Sequence, residues 1–225
     1  MEIFYSVVRF FTAGGVFMLP ILAVGAVGTA IALERFITIT RMRAKNRALW
    51  AEVEPAINAG EFDKAREITA KSETALSRLL GTGLEMQGAV RRRDDVKEAM
   101  QESMMEILPQ LEKRTHYLAT FANLATLLGL LGTVSGLIHA FSAVSTANPA
   151  EKANLLSASI SEAMNCTAFG LMVAVPMLFV HAFLQTKSSQ MIDGLETAAI
   201  KFLNSLTKRA TAKVLAARIE PARAA

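Results

Sequence analysis

Three stretches of this chain carry no charged side chain: Phe10 to Leu33, Leu118 to Val144 and Ala163 to Thr186. A helix rises ~1.5 Å per residue and about 20 apolar residues cross a bilayer, so each stretch is long enough to span one. Ordinary buried helices do not need such length without charge. The pattern therefore predicts an all-α integral membrane protein with three transmembrane helices. Composition agrees only if charge and apolarity are segregated: the chain is 52% hydrophobic, yet 20% of its residues are charged.

The charges fall where this reading requires. The segment 41–115 holds 14 Lys+Arg and 13 Asp+Glu, and the tail 187–225 holds seven Lys+Arg. Arg35 closes the first span, and only Arg9 and Lys152 lie on the other side. Positive residues collect in the cytoplasm, so the N-terminus is expected outside and the C-terminus inside. The net charge of +4 is then a mark of topology, and nucleic-acid binding is not expected. The first apolar run lacks a basic segment before it and is followed by Arg35, Arg41, Arg43, Lys45 and Arg47, which reads as an uncleaved helix.

The expected organisation follows. Residues 1–15 form an interfacial segment, with Phe4, Tyr5, Phe10 and Phe11 at the outer membrane–water boundary. Spans at 16–40, 116–144 and 155–186 are separated by a cytoplasmic helical domain at 41–115 and a short outer loop at 145–154, which is periplasmic if the family resemblance below holds. A cytoplasmic tail fills 187–225. Within 41–115, Leu49, Val53 and Ile57 recur at helical spacing before Gly60, a C-terminal stop. Phe62, Ala65 and Ile68/Thr69 mark a second helix, and Leu76, Leu79, Leu80 and Leu84 a third. Asp94 or Asp95 caps a fourth, through Val96, Met100, Ile107/Leu108 and Leu111, running unbroken into Leu118 with a kink at Pro109. The tail resumes at Met191, Leu195, Ala198/Ala199, Phe202 and Leu206, so the last two spans should extend into the cytoplasm as long helices.

Polar residues inside the spans are the candidates for function. Counted from the outer loop, Thr133 lies about 16 Å deep and Thr167 about 18 Å. Glu162 lies about 10 Å deep, or at the interface if the third helix starts later. It reads either as a carboxylate facing a bundle interior or water path, or as an interfacial helix cap. Asn123, Thr126, Leu130, Thr133, Leu137 and Ala140 share one semi-polar face, a candidate pore lining. Gly129, Gly132, Gly136 and Gly170 read as helix-packing positions, with Gly132 and Gly136 expected against a neighbouring subunit. Pro176 frees a carbonyl and bends the third helix. His139 and His181 read as hydrogen-bonded interface residues, and Cys166 as a packing residue. One cysteine and three scattered histidines exclude a disulfide framework and offer no metal site. There is no nucleophile–base motif or phosphate loop, so no enzyme and no cofactor are expected.

Two runs resemble a known family. Leu127-Leu-Gly-Leu-Leu-Gly-Thr-Val-Ser-Gly-Leu-Ile-His-Ala-Phe141 and Ile160-Ser-Glu-Ala-Met-Asn-Cys-Thr-Ala-Phe-Gly-Leu-Met-Val-Ala-Val-Pro176 look like the two signatures of the MotA/TolQ/ExbB proton-channel family, and Glu34-Arg35 fits the close of its first helix. Three spans place the chain nearer TolQ and ExbB than four-helix MotA. The resemblance implies a bacterial inner-membrane homopentamer whose pore holds two single-helix ExbD- or TolR-like partners, with a TonB- or TolA-like protein as a further candidate partner. It implies an ion pathway through Thr133, Glu162 and Thr167, and favours the buried reading of Glu162. The chain departs from the family at Thr126, where Pro is frequent, and at His181-Ala182, where Tyr-Asn is frequent. It departs also at Asn165, usually apolar, whose amide oxygen raises Na⁺ as an alternative to H⁺. Glu162 precedes Thr167 by about 140° around the helix, so Thr167 is expected to face the pore and Glu162 a subunit boundary. The competing function is a non-conducting membrane scaffold that assembles envelope partners.

Overall fold

The computed structural model describes residues 14–89 and 92–223; the expectations for Phe4, Tyr5, Phe10 and Phe11 lie outside them. Among the described residues six helices follow one another: α1 Met18–Ala59, α2 Phe62–Ala70, α3 Ala75–Ala89, α4 Arg93–Glu112, α5 Thr115–Thr146 and α6 Lys152–Arg223. Among the described residues there is no strand. Three helical stretches among the described residues are long and apolar enough to cross a membrane, lying in α1, α5 and α6. The chain divides into two compact units, Met1–Phe36 with Arg114–Gln185, and Ile37–Lys113 with Thr186–Ala225.

The first unit turns its apolar side chains outward. Leu19, Val134, Phe141, Val175 and Phe179 are all exposed, Phe179 by 75%. Water-soluble monomers rarely expose contiguous apolar surface on this scale, whereas lipid accepts it. Its interior seats Met18, Ile21, Leu118 and Leu184 among many small residues, such as Ala122, Ala125, Ala140, Ala163 and Ala174. A Cβ on Gly25 would meet Val173 Cγ1 at 3.1 Å, and one on Gly28 would run into the thioether of Met177. These two glycines therefore let α1 lie close on α6. Where α1 leaves the unit, Glu34 and Arg35 clasp the start of α5. Both carboxylate oxygens of Glu34 accept from Arg114 at 2.8 Å, and buried Arg35 donates from Nε to Thr115 Oγ1 at 3.2 Å.

The second unit has the core of a water-soluble domain. Val53, Ile57, Leu79, Leu80, Leu84, Val96, Met100, Leu111, Leu195 and Phe202 are all buried in one cluster. The rings of Phe62 and Phe202 meet edge to face with centroids 6.0 Å apart. Gly60 ends α1 with φ +75°: its N–H donates to Ile57 O at 3.1 Å, and the N–H of Glu61 donates to Ala56 O at 2.9 Å. This paired arrangement is the usual glycine-dependent helix stop. Arg209 completes it by donating to Gly60 O at 2.7 Å.

Two local expectations are corrected. The fourth helix does not run into Leu118: Lys113 leaves the helical conformation with ψ 130° and Arg114 takes a left-handed φ of 63°, while Pro109 sits inside α4. The left-handed conformation is disfavoured for a residue with a Cβ, and the Glu34 pairing holds Arg114 in it. Asp94 and Asp95 do not cap α4 either. Arg92 is the N-cap residue, without a side-chain cap, and the two aspartates lie in the first turn, where negative charge suits the helix dipole.

A polar pocket and a glycine ladder between α5 and α6

The two helices run antiparallel and touch backbone to backbone. A Cβ on Gly129 would meet Thr167 Cα at 3.2 Å and Gly170 Cα at 3.4 Å. A Cβ on Gly170 would stand 2.7 Å from Ala125 O, one on Gly132 would strike Cys166, and one on Gly136 would come 2.8 Å from Ala163 Cβ. The expectation of a neighbouring subunit at Gly132 and Gly136 is thus replaced: this face is already covered by α6 of the same chain. Cys166 is buried there. Pro176 lies within α6, along an apolar groove of about 790 Å³ shared with Gly25 and Gly28.

This ladder positions the candidate polar residues. Thr167 is half-buried and donates to Gly129 O at 2.7 Å, tying α6 to α5. Its hydroxyl is therefore turned onto its own chain's α5. Half-buried Thr133 donates to Leu130 O at 2.7 Å, and Thr126 to Ala122 O at 3.1 Å. Such back-bonding satisfies a hydroxyl where water is absent. By the register of the ladder, Thr133 is level with Asn165 and Cys166, less than a turn from Thr167. Asn123 is exposed and Asn165 half-buried.

Glu162 occupies a different place. It is the only charged residue between Lys152 and Lys187. It lines a pocket of about 230 Å³ with Ser135, Gly136, His139, Ser159 and the stretch Gly14–Phe17 before α1. Gly15 has φ +75°, and a Cβ there would collide with Glu162 Oε1. The carboxylate thus rests on bare backbone at the beginning of α1, a position negative charge favours. Three hydrogen-bonding side chains share the pocket with it, a setting that suits a few waters and a moving proton. Sequence reasoning singled out Glu162 but not Gly15, Ser135 or Ser159. Gly25 and Gly28 also went unread, although their i, i+3 spacing was a signal for close packing. Among the described residues no cluster of three or more His, Cys, Asp or Glu is placed to hold a metal ion.

Residues 71–197 match the MotA/TolQ/ExbB proton channel family. A putative biopolymer transport protein ExbB homolog of Methanothermobacter thermautotrophicus is 27% identical over 202 residues, covering 87% of this chain and 69% of the relative. A putative biopolymer transport protein ExbB-like 1 of Synechocystis sp. is 31% identical over 186 residues, covering 81% and 72%. The Tol-Pal system protein TolQ of Haemophilus influenzae is 33% identical over 109 residues, 48% of this chain and 46% of that protein.

Proposed function

The chain belongs to the MotA/TolQ/ExbB proton channel family, and on that premise we propose that it is the proton-conducting subunit of an inner-membrane motor. It acts as a homopentamer around a dimer of single-helix ExbD- or TolR-like partners, and couples the proton-motive force to work in the cell envelope. A TonB- or TolA-like protein is the candidate receiver of that work. The N-terminus and the 147–151 turn face the periplasm, and the second unit with the C-terminus faces the cytoplasm. The charge asymmetry of the chain supports this orientation.

The observation that carries the reading is the Glu162 pocket. A lone carboxylate between uncharged helices is costly unless it serves a path for ions or water. This one has three hydrogen-bonding neighbours and stands on the backbone before α1. In the proposed mechanism Glu162 takes up and releases a proton on its way to a carboxylate on the partner helix. Thr133 and Thr167 set the α5–α6 geometry and contribute oxygens to the path. The transported ion is H⁺, and the Asn165 amide is the feature that Na⁺ replacement experiments address.

The test is proton uptake by liposomes containing the chain and its co-purified partner. Glu162→Gln keeps size and hydrogen bonding but removes the titrating proton. Uptake should fall strongly while the oligomer persists by native mass. Full uptake with Gln at 162 would show that titration of Glu162 is not needed, whereas no uptake by the unaltered chain with its partner would favour the scaffold reading. Mass spectrometry of the co-purified complex identifies the partner.

A further inference from the structure

The second unit carries two exposed surfaces of opposite charge that its own core leaves unused. The first is a groove of about 930 Å³ between α1 and α6. Trp50, Leu76, Met191 and Leu195 give it apolar walls, Arg43 and Arg47 lie one turn apart along it, and no acidic side chain lines it. Among the described residues neither arginine has an ion pair or hydrogen bond. Asn46, on the same turn of α1, is 9% exposed. Its Oδ1 accepts from Leu76 N at 3.3 Å, which fixes the amide orientation, and its Nδ2 has no acceptor in the chain. A buried amide donor without a partner is rare in a finished structure.

The second surface is on α4. Asp94, Glu98 and Glu102 repeat every fourth residue and are all exposed, and Met105 follows on the same side with 74% exposure. Among the described residues none of the three carboxylates has an ion pair. This face, with three carboxylates and one exposed methionine, has the charge opposite to that of the groove. It is a good one to lay in an apolar groove edged by arginines, through anchors at i and i+4.

We propose that the α1–α6 groove of one copy receives the α4 face of the next copy. Glu98 and Glu102 meet Arg43 and Arg47, where guanidinium–carboxylate pairs form paired hydrogen bonds, and Met105 covers the apolar wall. The two surfaces are different, so the contact is head to tail, and head-to-tail contacts that close generate a ring. The inference rests on the family reading only in expecting a ring, and it places a specific contact in the second unit. A second copy is favoured over an anionic lipid because lipid would neutralise the arginines and leave the α4 face unanswered.

The test uses the full-length chain in nanodiscs with Cys166→Ser, which removes the sole cysteine. Ala48→Cys lines the groove and Gln101→Cys lies on the α4 face, and both leave the charges in place. Oxidation of the double variant should give a ladder of cross-linked oligomers, and either single variant should not. Arg43→Glu with Arg47→Glu should lower cross-linking about tenfold or more, and adding Glu98→Arg with Glu102→Arg should restore it. An intact oligomer without the 48–101 cross-link overturns the inference and leaves the family reading standing. A chain that is monomeric under every condition overturns both. Loss of binding to phosphatidylglycerol vesicles in the Arg43→Glu/Arg47→Glu variant, with cross-linking unchanged, assigns the groove to lipid and also overturns it.

Discussion

Gly170→Ala adds one methyl group at the tightest point of the α5–α6 contact. The new Cβ would stand 2.7 Å from Ala125 O and 3.1 Å from Gly129 Cα, against an ordinary contact of 3.4 Å or more. Both obstacles are backbone, so no rotamer change relieves the clash. The helices must part by about 0.7 Å, the shortfall between those distances, which carries the 2.7 Å Thr167–Gly129 bond to the limit of hydrogen-bond range. Overpacking costs about 1–3 kcal/mol. An interhelical hydrogen bond in a membrane protein contributes ~0.6 kcal/mol on average. The better helix propensity of alanine returns up to about 1 kcal/mol. Net destabilisation of about 0.6–2.6 kcal/mol is expected, read from the unfolding midpoint of the detergent-solubilised protein in a sodium dodecyl sulfate titration. Gly81→Ala is the control: nothing lies within 4 Å of its Cβ, so it should be neutral or stabilising. Thr167→Val should then cost less in the Gly170→Ala background than alone, because the bond is already stretched. The reasoning fails if Gly170→Ala matches Gly81→Ala, or if the Thr167→Val cost is the same in both backgrounds.

Gly15→Ala combines a left-handed backbone with a collision at Glu162 Oε1, so proton uptake should drop while native mass still reports the oligomer; unchanged uptake would show that the carboxylate does not depend on this seat. Arg114→Gly removes the Glu34 pairing but relieves the left-handed strain, whereas Arg114→Ala removes the pairing alone. The alanine variant should therefore be the less stable by ~1 kcal/mol in the same unfolding assay. Phe202→Ala leaves a cavity in the second unit's core and should cost about 3–5 kcal/mol by thermal unfolding.

The sequence revealed most where a single physical constraint dominates. Uninterrupted absence of charge marked the three apolar stretches of α1, α5 and α6. Gly60 announced the end of α1 because only glycine enters φ +75° freely. The spacing of Phe62, Ala65 and Thr69 showed the buried face of α2. Long-range geometry was hidden. The break at Lys113–Arg114 involves neither Gly nor Pro, and it is fixed by Glu34, 80 residues away. The meeting of Gly15 with Glu162 and the covering of Gly132 by Cys166 depend on how helices pair, which periodicity along one helix does not encode. The same holds for Thr167, whose hydroxyl goes to a carbonyl on another helix.

The ladder of Gly129, Gly132, Gly136 and Gly170 also limits how this protein moves. Each glycine is a notch in which one backbone, thiol or methyl group of the facing helix is seated. Sliding α5 along α6 would lift these notches away from the groups they hold, and turning it by one residue position, about 100°, would drive side chains such as Leu128 or Leu131 into spaces that exclude even a Cβ. Shear between these helices is therefore blocked, and the pair turns as one solid piece. If the chain is the motor subunit proposed above, its work is expected to come from movement between whole subunits or from side chains at their borders. Distances between spin labels on Leu131 and Met172 within one chain should stay constant through the working cycle, while the same labels on different copies move apart and together.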